Sequence, residues 1–360
     1  MKKIVVLDTW VKTTNTGNKI IMDAVYKELR DIFPGDFFYQ VPAAEYINSG
    51  RKLVSSADYL FLGGANLLSS NMNNPRAGGW RLRSKDMLWL RDVILMGLGW
   101  WKYQSFPPNL YTKILLSMVL RKDCFHEVRD SYTLNRLKSL GFKVLNAGCP
   151  TIWRLTAEHC ADIPHSKAEN ALLTFTSYSQ NPKDDKLLFD IIDKNYSTVY
   201  FWTQDYPDYK YAKKICGNRL VFVDPSLDAL DDLLQTEVLD HIGTRLHGGI
   251  RSLQHKRRTL VIAVDNRAAE MGRDFNLPIV LRKDIAFKLD KKINSLWKTD
   301  VKIDQTAINT WKNQFSEDRQ TSNVGIPELT GLRSIYQKVV PVRARKTIRK
   351  TIGKNLFGSV

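Results

Sequence analysis

The chain has 360 residues, room for two domains at about 150 residues each, and its 43% hydrophobic and 25% charged residues exclude disordered and fibrous classes. Lys and Arg number 54 against 37 Asp and Glu, a formal net charge of +17 that asks for an anionic partner. The charge is uneven: residues 71–122 carry +7 and residues 331–360 carry +8, so the remainder is nearly neutral, unlike a nucleic-acid binder, and no nucleic-acid partner is expected.

Met1–Asp8 has two lysines but only a four-residue apolar run ended by an aspartate, which reads as a first strand over Ile4–Leu7 and not a secretion signal. A helix follows from about Lys19 to Phe33, with Ile20, Ala24, Leu29 and Phe33 at helical spacing and Pro34-Gly35 as its stop. Phe37–Val41 is a second strand, and Asp58–Gly64 reads as a buried strand running into a glycine turn. Residues 71–122 then interrupt the alternation. Beyond them come a strand over Cys124–Val128, a helix over Asp130–Leu140 and a strand over Val144–Ala147.

The second half alternates more cleanly. Strands are expected at Ala171–Thr176, Val199–Trp202, Leu220–Val223, Val238–Ile242 and Thr259–Val264, with helices at Lys183–Lys194, Tyr209–Cys216, Leu227–Gln235 and His247–Gln254 between them. Such alternation means βαβ units and parallel sheets. The expected architecture is α/β, two Rossmann-like domains facing a cleft: residues 1–160 on the acceptor side with the basic aromatic insertion 71–122, and 161–300 on the donor side. A closing helix lies in 301–330, with Trp311, and a basic amphipathic tail in 331–360.

Cys124, Cys149, Cys160 and Cys216 form no CxxC pair, which fits a reduced cytoplasmic setting without structural zinc, and His159 and His165 have no carboxylate or thiol placed to complete a metal site. The longest uncharged apolar stretch, Val93–Trp101, is about half the roughly 20 residues of a spanning helix.

Chemistry concentrates at strand ends. In Asp240–Ile250 a strand stops near Gly243 and a helix begins within two residues, so Arg245 and His247 lie at a helix N-terminus on the carboxyl edge of a parallel sheet, where free N–H groups and a guanidinium fork suit a phosphate or carboxylate. Gly248-Gly249 is costly inside a helix unless something approaches the backbone closely. The loop Thr13–Asn18 after the first strand presents Asn15, Thr16, Gly17 and Asn18 to an anion, or simply caps the helix; it is neither GxGxxG nor a P-loop. Arg129-Asp130-Ser131, again at a strand end, either adds a second guanidinium to the cleft or forms a local ion pair.

Taken together, Asn15-Thr16-Gly17-Asn18, Leu62-Gly63-Gly64-Ala65, Val128-Arg129-Asp130-Ser131, Thr244-Arg245-Leu246-His247-Gly248 and Ala263–Arg267, in this order and at these strand ends, resemble the polysaccharide pyruvyl transferase family. Asn18, Ala65 and Gly243 stand where that family usually has Asp, Gly and Ser. The resemblance implies a fold similar to GT-B glycosyltransferases and transfer of a pyruvyl group from phosphoenolpyruvate to two hydroxyls of a sugar, giving a ketal and phosphate without a further cofactor. It implies that Arg129, Arg245 and His247 hold the donor, with Gly63, Gly64 and Gly248 lining the site. His247 is then general acid or phosphate ligand, and Asp130 or Asp8 the base. A GT-B glycosyltransferase using a nucleotide sugar is the alternative, and a non-catalytic basic scaffold a third.

In residues 71–122, Trp80, Trp89, Trp100 and Trp101 lie among arginines, and Val340, Ala344, Ile348, Ile352 and Leu356 recur every four residues in a cationic tail. These zones are a core insertion and a solvated end, or they attach the protein peripherally to the anionic inner face of the cell membrane, where a glycan or lipid-linked oligosaccharide acceptor would be met.

Overall fold

The computed structural model describes residues 1–43, 50–74, 79, 80 and 82–316. Residues 317–360, and with them the cationic tail, lie outside the described residues.

Two six-stranded parallel sheets carry the fold. The first contains β1 (Lys3–Asp8), β2 (Phe37–Pro42), β3 (Tyr59–Leu68), β4 (Val93–Trp100), β5 (His126–Val128) and β6 (Val144–Asn146), in the order β2-β1-β3-β4-β5-β6. Its helices are α1 (Thr16–Ile32), α2 (Arg51–Ser55), α3 (Leu110–Val119), α4 (Ser131–Lys138) and α5 (Ala157–Ala161). Ile4, Val5, Val6 and Leu7 are fully buried, as a parallel strand covered on both faces requires. Asn15 caps α1 by accepting from Gly17 N at 3.0 Å, and Ile21, Val25 and Leu29 are buried under the helix.

The second sheet contains β7 (Asn170–Thr174), β8 (Thr198–Trp202), β9 (Val221–Val223), β10 (Leu239–Gly243), β11 (Thr259–Ala263) and β12 (Ile279–Leu281), in the order β12-β11-β10-β7-β8-β9. Its helices are α6 (Pro182–Asn195), α7 (Tyr206–Cys216), α8 (Leu227–Thr236), α9 (Leu246–Gln254), α10 (Asn266–Phe275) and α11 (Asp290–Asn294). This is the doubly wound order, whose switch point falls between β7 and β10, and ligands sit outside the carboxyl ends of strands at such points.

Residues 71–122 are not an appendage, which corrects the expectation of an interrupted pattern. They supply β4, every residue of it buried between β3 and β5, and α3. Trp80 and Trp100 are buried, as are Leu90, Leu115 and Leu116, as the core-insertion reading of this zone requires. At about 1.5–3 kcal/mol per buried Val, Leu, Ile or Met, these side chains hold the first sheet together. Among the described residues no helix is long and apolar enough to cross a membrane.

β3 departs from expectation too. It does not stop at Gly63-Gly64 but runs on to Leu68, kinked where Gly64 (φ 24°) and Ala65 (φ 99°) face Gly97 (φ 73°) of β4. Built side-chain Cβ atoms at Gly63 and Gly64 would fall 2.8 Å from Met22 and 2.2 Å from Ile21, so both glycines admit α1 onto the sheet.

The chain returns to the first sheet after α11. Helix α12 (Gln305–Asn313) buries Trp311 against Phe61, Trp153 and Phe315, with ring centroids 6.1, 5.9 and 5.0 Å away. Lys312 pairs with the buried Glu28 of α1, and Gln314 bonds both backbone groups of Phe125. One hydrophobic cluster joins α1 and Trp153 to Leu246, Ile250 and Leu253 of α9, so the two sheets share a core.

Candidate active site

The carboxyl ends of β4, β5, β7, β10 and β11 converge on one buried polar site. Arg129 follows β5 and is fully buried. Its Nη2 donates to Asn66 Oδ1, and the guanidinium lies over Gly99, where any Cβ would be 2.2 Å from Nη2. Nε and Nη1 have no hydrogen-bond partner among the described residues. Asp130 uses one carboxylate oxygen to cap α4, accepting from Thr133 N at 2.7 Å. The other lies 3.5 Å from Arg129 Nε, an ion pair without a hydrogen bond. A buried guanidinium so incompletely paired is costly, and the arrangement suits a further anion.

His247, in the first turn of α9, faces Cys149 with Nε2 3.8 Å from Sγ. Burial, and after it the Arg129 charge, pulls its pKa down to about 3, so the imidazole is neutral at physiological pH. Arg267, in the first turn of α10, is pulled down to about 9 by burial and then by Arg129. Asp265 caps that helix by accepting from Arg267 N at 3.0 Å, and burial raises its pKa against the pull of Arg129. Asn266 donates to Trp100 O at 3.2 Å, tying α10 to the end of β4, while its Oδ1 is unpartnered.

Arg245 is engaged differently. Its Nε and Nη2 bind Asp208 at 2.8 and 2.6 Å, and Nε also donates to Phe175 O at 3.1 Å. Asp208 accepts in addition from Ser177 N and Asp205 N. Tyr178, 57% exposed, lies over Arg245 at 5.1 Å and over Arg267 at 5.6 Å, and its hydroxyl donates to Asp265. Arg245 is therefore a buttress holding the turn after β7, whereas Arg129 carries the unsatisfied donors.

The first loop belongs to the junction between the sheets. Thr16 N donates to Gln204 O at 2.9 Å, Gln204 Nε2 to Asn15 Oδ1 at 2.9 Å and Thr14 Oγ1 to Asp205 at 2.9 Å. Gly17 packs under Gln204, and Asn18 donates to Thr9 O. Asp8, offered as a base, is spent on Trp10 N, Val11 N and the Tyr26 hydroxyl. Gly63 and Gly64 lie within β3, short of the site. At Gly248 a Cβ would make ordinary contacts near 3.6 Å with Trp202 and Gln204; the close approach is at Gly249, 2.6 Å from Val261. Asn66, Gly99, Tyr178 and Asp208 join the site without having been singled out, and Asn266 and Arg267 join it from the Ala263–Arg267 run, which was quoted for the resemblance but given no role. Asp265-Asn266-Arg267 at the end of β11 repeats the strand-end signal that marked Arg245.

A cavity of about 380 Å³ between α1 and α9, lined by Asp23, Arg154, His159 and Arg251 among others, contains none of Arg129, Arg245 and His247. Its arginines are paired, Arg251 with Asp231 and Arg154 with Glu28 and Asp31, so it lacks the charge imbalance of the Arg129 site.

Two doubly wound parallel sheets with a polar site between their carboxyl edges define an α/β enzyme of the GT-B type. The chain belongs to the polysaccharide pyruvyl transferase family, whose sequence profile matches residues 15–266. No curated protein matches the sequence. Similar solved structures include the UDP-GlcNAc 2-epimerase of Methanocaldococcus jannaschii in complex with UDP-GlcNAc and UDP, at 11% identity and TM-score 0.50, covering 88% of this chain and 99% of that one. A putative UDP-N-acetylglucosamine 2-epimerase from Listeria monocytogenes aligns at 12% identity and TM-score 0.48, covering 90% and 99%. S. aureus MnaA with UDP aligns at 11% identity and TM-score 0.46, covering 90% and 100%. The likeness is one of fold.

Proposed function

We propose that the protein transfers the pyruvyl group of phosphoenolpyruvate to two hydroxyls of one sugar in a polysaccharide or its lipid-linked precursor, forming a cyclic ketal and releasing phosphate. The observation that carries this reading is Arg129: a buried guanidinium with two unpartnered N–H positions, next to Arg267 and His247, where a small trianion would complete the pairing.

In the proposed reaction the donor's methylene carbon takes a proton, leaving an oxocarbenium-like C2 that the first hydroxyl attacks. The C2–O bond to phosphate then breaks and the second hydroxyl closes the ketal. Of the two hydroxyl protons, one balances the new methyl group and the other leaves with phosphate. Arg129 holds the donor's anionic groups and stabilises the departing charge, with Arg267, itself paired with Asp265 at 2.5 and 3.0 Å, adding positive potential beside it. His247 supplies the proton, its pKa lifted from about 3 when the trianion replaces water beside it. Asp130, with its second carboxylate oxygen free of hydrogen bonds, accepts the proton of the attacking hydroxyl. Arg245 acts at one remove, through Asp208 and the Tyr178 turn.

The test is thermal stabilisation by phosphoenolpyruvate, followed by phosphate release with candidate glycans and mass spectrometry for the ketal. Stabilisation by phosphoenolpyruvate that is lost in Arg129→Ala supports the reading. Stabilisation by UDP instead overturns it in favour of nucleotide-sugar chemistry.

A further inference from the structure

The rim of the cleft on the first-sheet side is aromatic although its floor is charged. Directly after β4, Tyr103 is 56% exposed, Phe106 48% and Leu110 59%, three large apolar side chains within eight residues. Exposed rings this close together need a reason, because burying them elsewhere would be worth about 1.5–3 kcal/mol each.

They are also held in place. The Tyr103 hydroxyl donates to Glu270 Oε1 of α10 at 2.6 Å, and its ring meets Tyr132 edge to face at 5.2 Å. Gln104 anchors the backbone beside it: its amide donates to the Tyr132 hydroxyl at 2.8 Å, and its side-chain oxygen accepts from Ser70 N and Trp100 Nε1 at 2.7 Å each. Arg136 donates to Phe106 O at 2.9 Å. A loop pinned at this many points while its rings remain open to solvent is preorganised. Asp130 belongs to the same corner: it caps α4, the helix whose Tyr132 ring meets Tyr103.

We propose that Tyr103, extended by Phe106, is the stacking face of the acceptor subsite, and that its occupant is a pyranose ring whose reacting hydroxyls are presented to Asp130. The chemistry fits one class of ligand. A pyranose has an apolar face of C–H groups that covers an aromatic ring, and a rim of hydroxyls that seeks an acceptor, here the second carboxylate oxygen of the buried Asp130. The inference rests on the pyruvyl-transfer reading for what is done to the sugar, but the binding surface is testable without the donor.

Saturation-transfer NMR on the full chain, with methyl β-D-galactopyranoside and methyl β-D-glucopyranoside as probes and no phosphoenolpyruvate, reads the subsite directly. The expected result is transfer to the ring C–H protons of at least one probe in the wild type. It should fall about tenfold in Tyr103→Ala and about twofold to threefold in Phe106→Ala and Tyr103→Phe, the latter keeping the ring but losing Glu270. Circular dichroism and unchanged stabilisation by inorganic phosphate would show that the fold and the Arg129 site are intact in each variant. Absence of transfer in the wild type, or equal transfer in wild type and Tyr103→Ala, overturns the subsite. Failure of phosphoenolpyruvate to stabilise the protein, with sugar transfer retained and Tyr103-dependent, overturns the donor assignment instead and leaves the stacking face standing.

Discussion

The Arg129 guanidinium rests on the bare Cα of Gly99, so near that a methyl group there would occupy the space of Nη2. Gly99 has no positive φ that would demand glycine, so its side-chain hydrogen serves only to let the guanidinium lie against β4. Gly99→Ala should fold and yet push Arg129 off its position. The expected outcome is a rise of at least about tenfold in the phosphoenolpyruvate concentration needed for half-maximal stabilisation, as misplacement by about 1 Å is enough to cost that much or more.

Arg129 and Arg245 should fail in opposite ways. Arg245→Ala strands Asp208 in the interior and should cost about 3 kcal/mol of stability, read by urea denaturation. Arg129→Ala removes a guanidinium that is already short of partners. Its pairing with Asp130 is longer and lacks a hydrogen bond, so the loss should cost less stability than Arg245→Ala while lowering transfer by about a hundredfold to a thousandfold. The reverse pattern would exchange their roles.

Ala65 occupies a backbone conformation that suits glycine, φ 99°, at the kink that turns Asn66 toward Arg129. Ala65→Gly should relieve roughly 1 kcal/mol of strain and raise the melting temperature without loss of donor binding. A lower melting temperature would mean that the methyl packing outweighs the strain.

Three buried histidines set the acid limb of stability. Burial lowers His126 to about 4 and His241 to about 3, and burial together with Arg129 lowers His247 to about 3. A depressed histidine pKa stabilises the fold fully above the unfolded value near 6.5; as pH falls below it the unfolded chain takes up protons first and stability drains away. Unfolding free energy should therefore drop by about 2 kcal/mol per histidine between pH 6.5 and 5. In NMR titrations none of the three imidazoles should protonate above pH 5, and added inorganic phosphate should move His247 alone upward.

Trp311 locks α12 to the first sheet. Trp311→Ala should cost about 3–5 kcal/mol, the range for deleting a buried aromatic side chain, and weaken the second sheet's attachment as well as the first sheet's core. Differential protection of β1 and β10 amides in hydrogen exchange would report it.

Most of the architecture was legible because parallel strands buried on both faces are short apolar runs, and β1, β8 and β10 fall within a residue or two of their expected positions. β4 was not, although every residue of Val93–Trp100 is uncharged and buried: the tryptophans and arginines around it left a surface reading open until the sheet order put β4 between β3 and β5. At the candidate site, Arg129, Asp130, Arg245 and His247 were singled out by their place at strand ends. What sequence could not separate is a guanidinium already matched by a carboxylate from one that is not, since Asp208 lies 37 residues from Arg245 and enters from another helix. Gly63 and Gly64 mislead for a related reason, because a glycine beside a ligand and a glycine beneath a helix leave the same mark in the sequence. Asn66, two places further along the same strand, carries the contact.

The return of α12 to the first sheet means that the polypeptide passes between the two halves twice, once on leaving β6 and once after α11. Severing either passage by a single proteolytic cut leaves the halves connected by the other. A body joined at two points can turn about the line between them far more readily than it can slide or separate. Rotation about that line is the one movement the two passages leave unopposed, and a chain ended before Asp304 would lose that constraint before it lost either sheet.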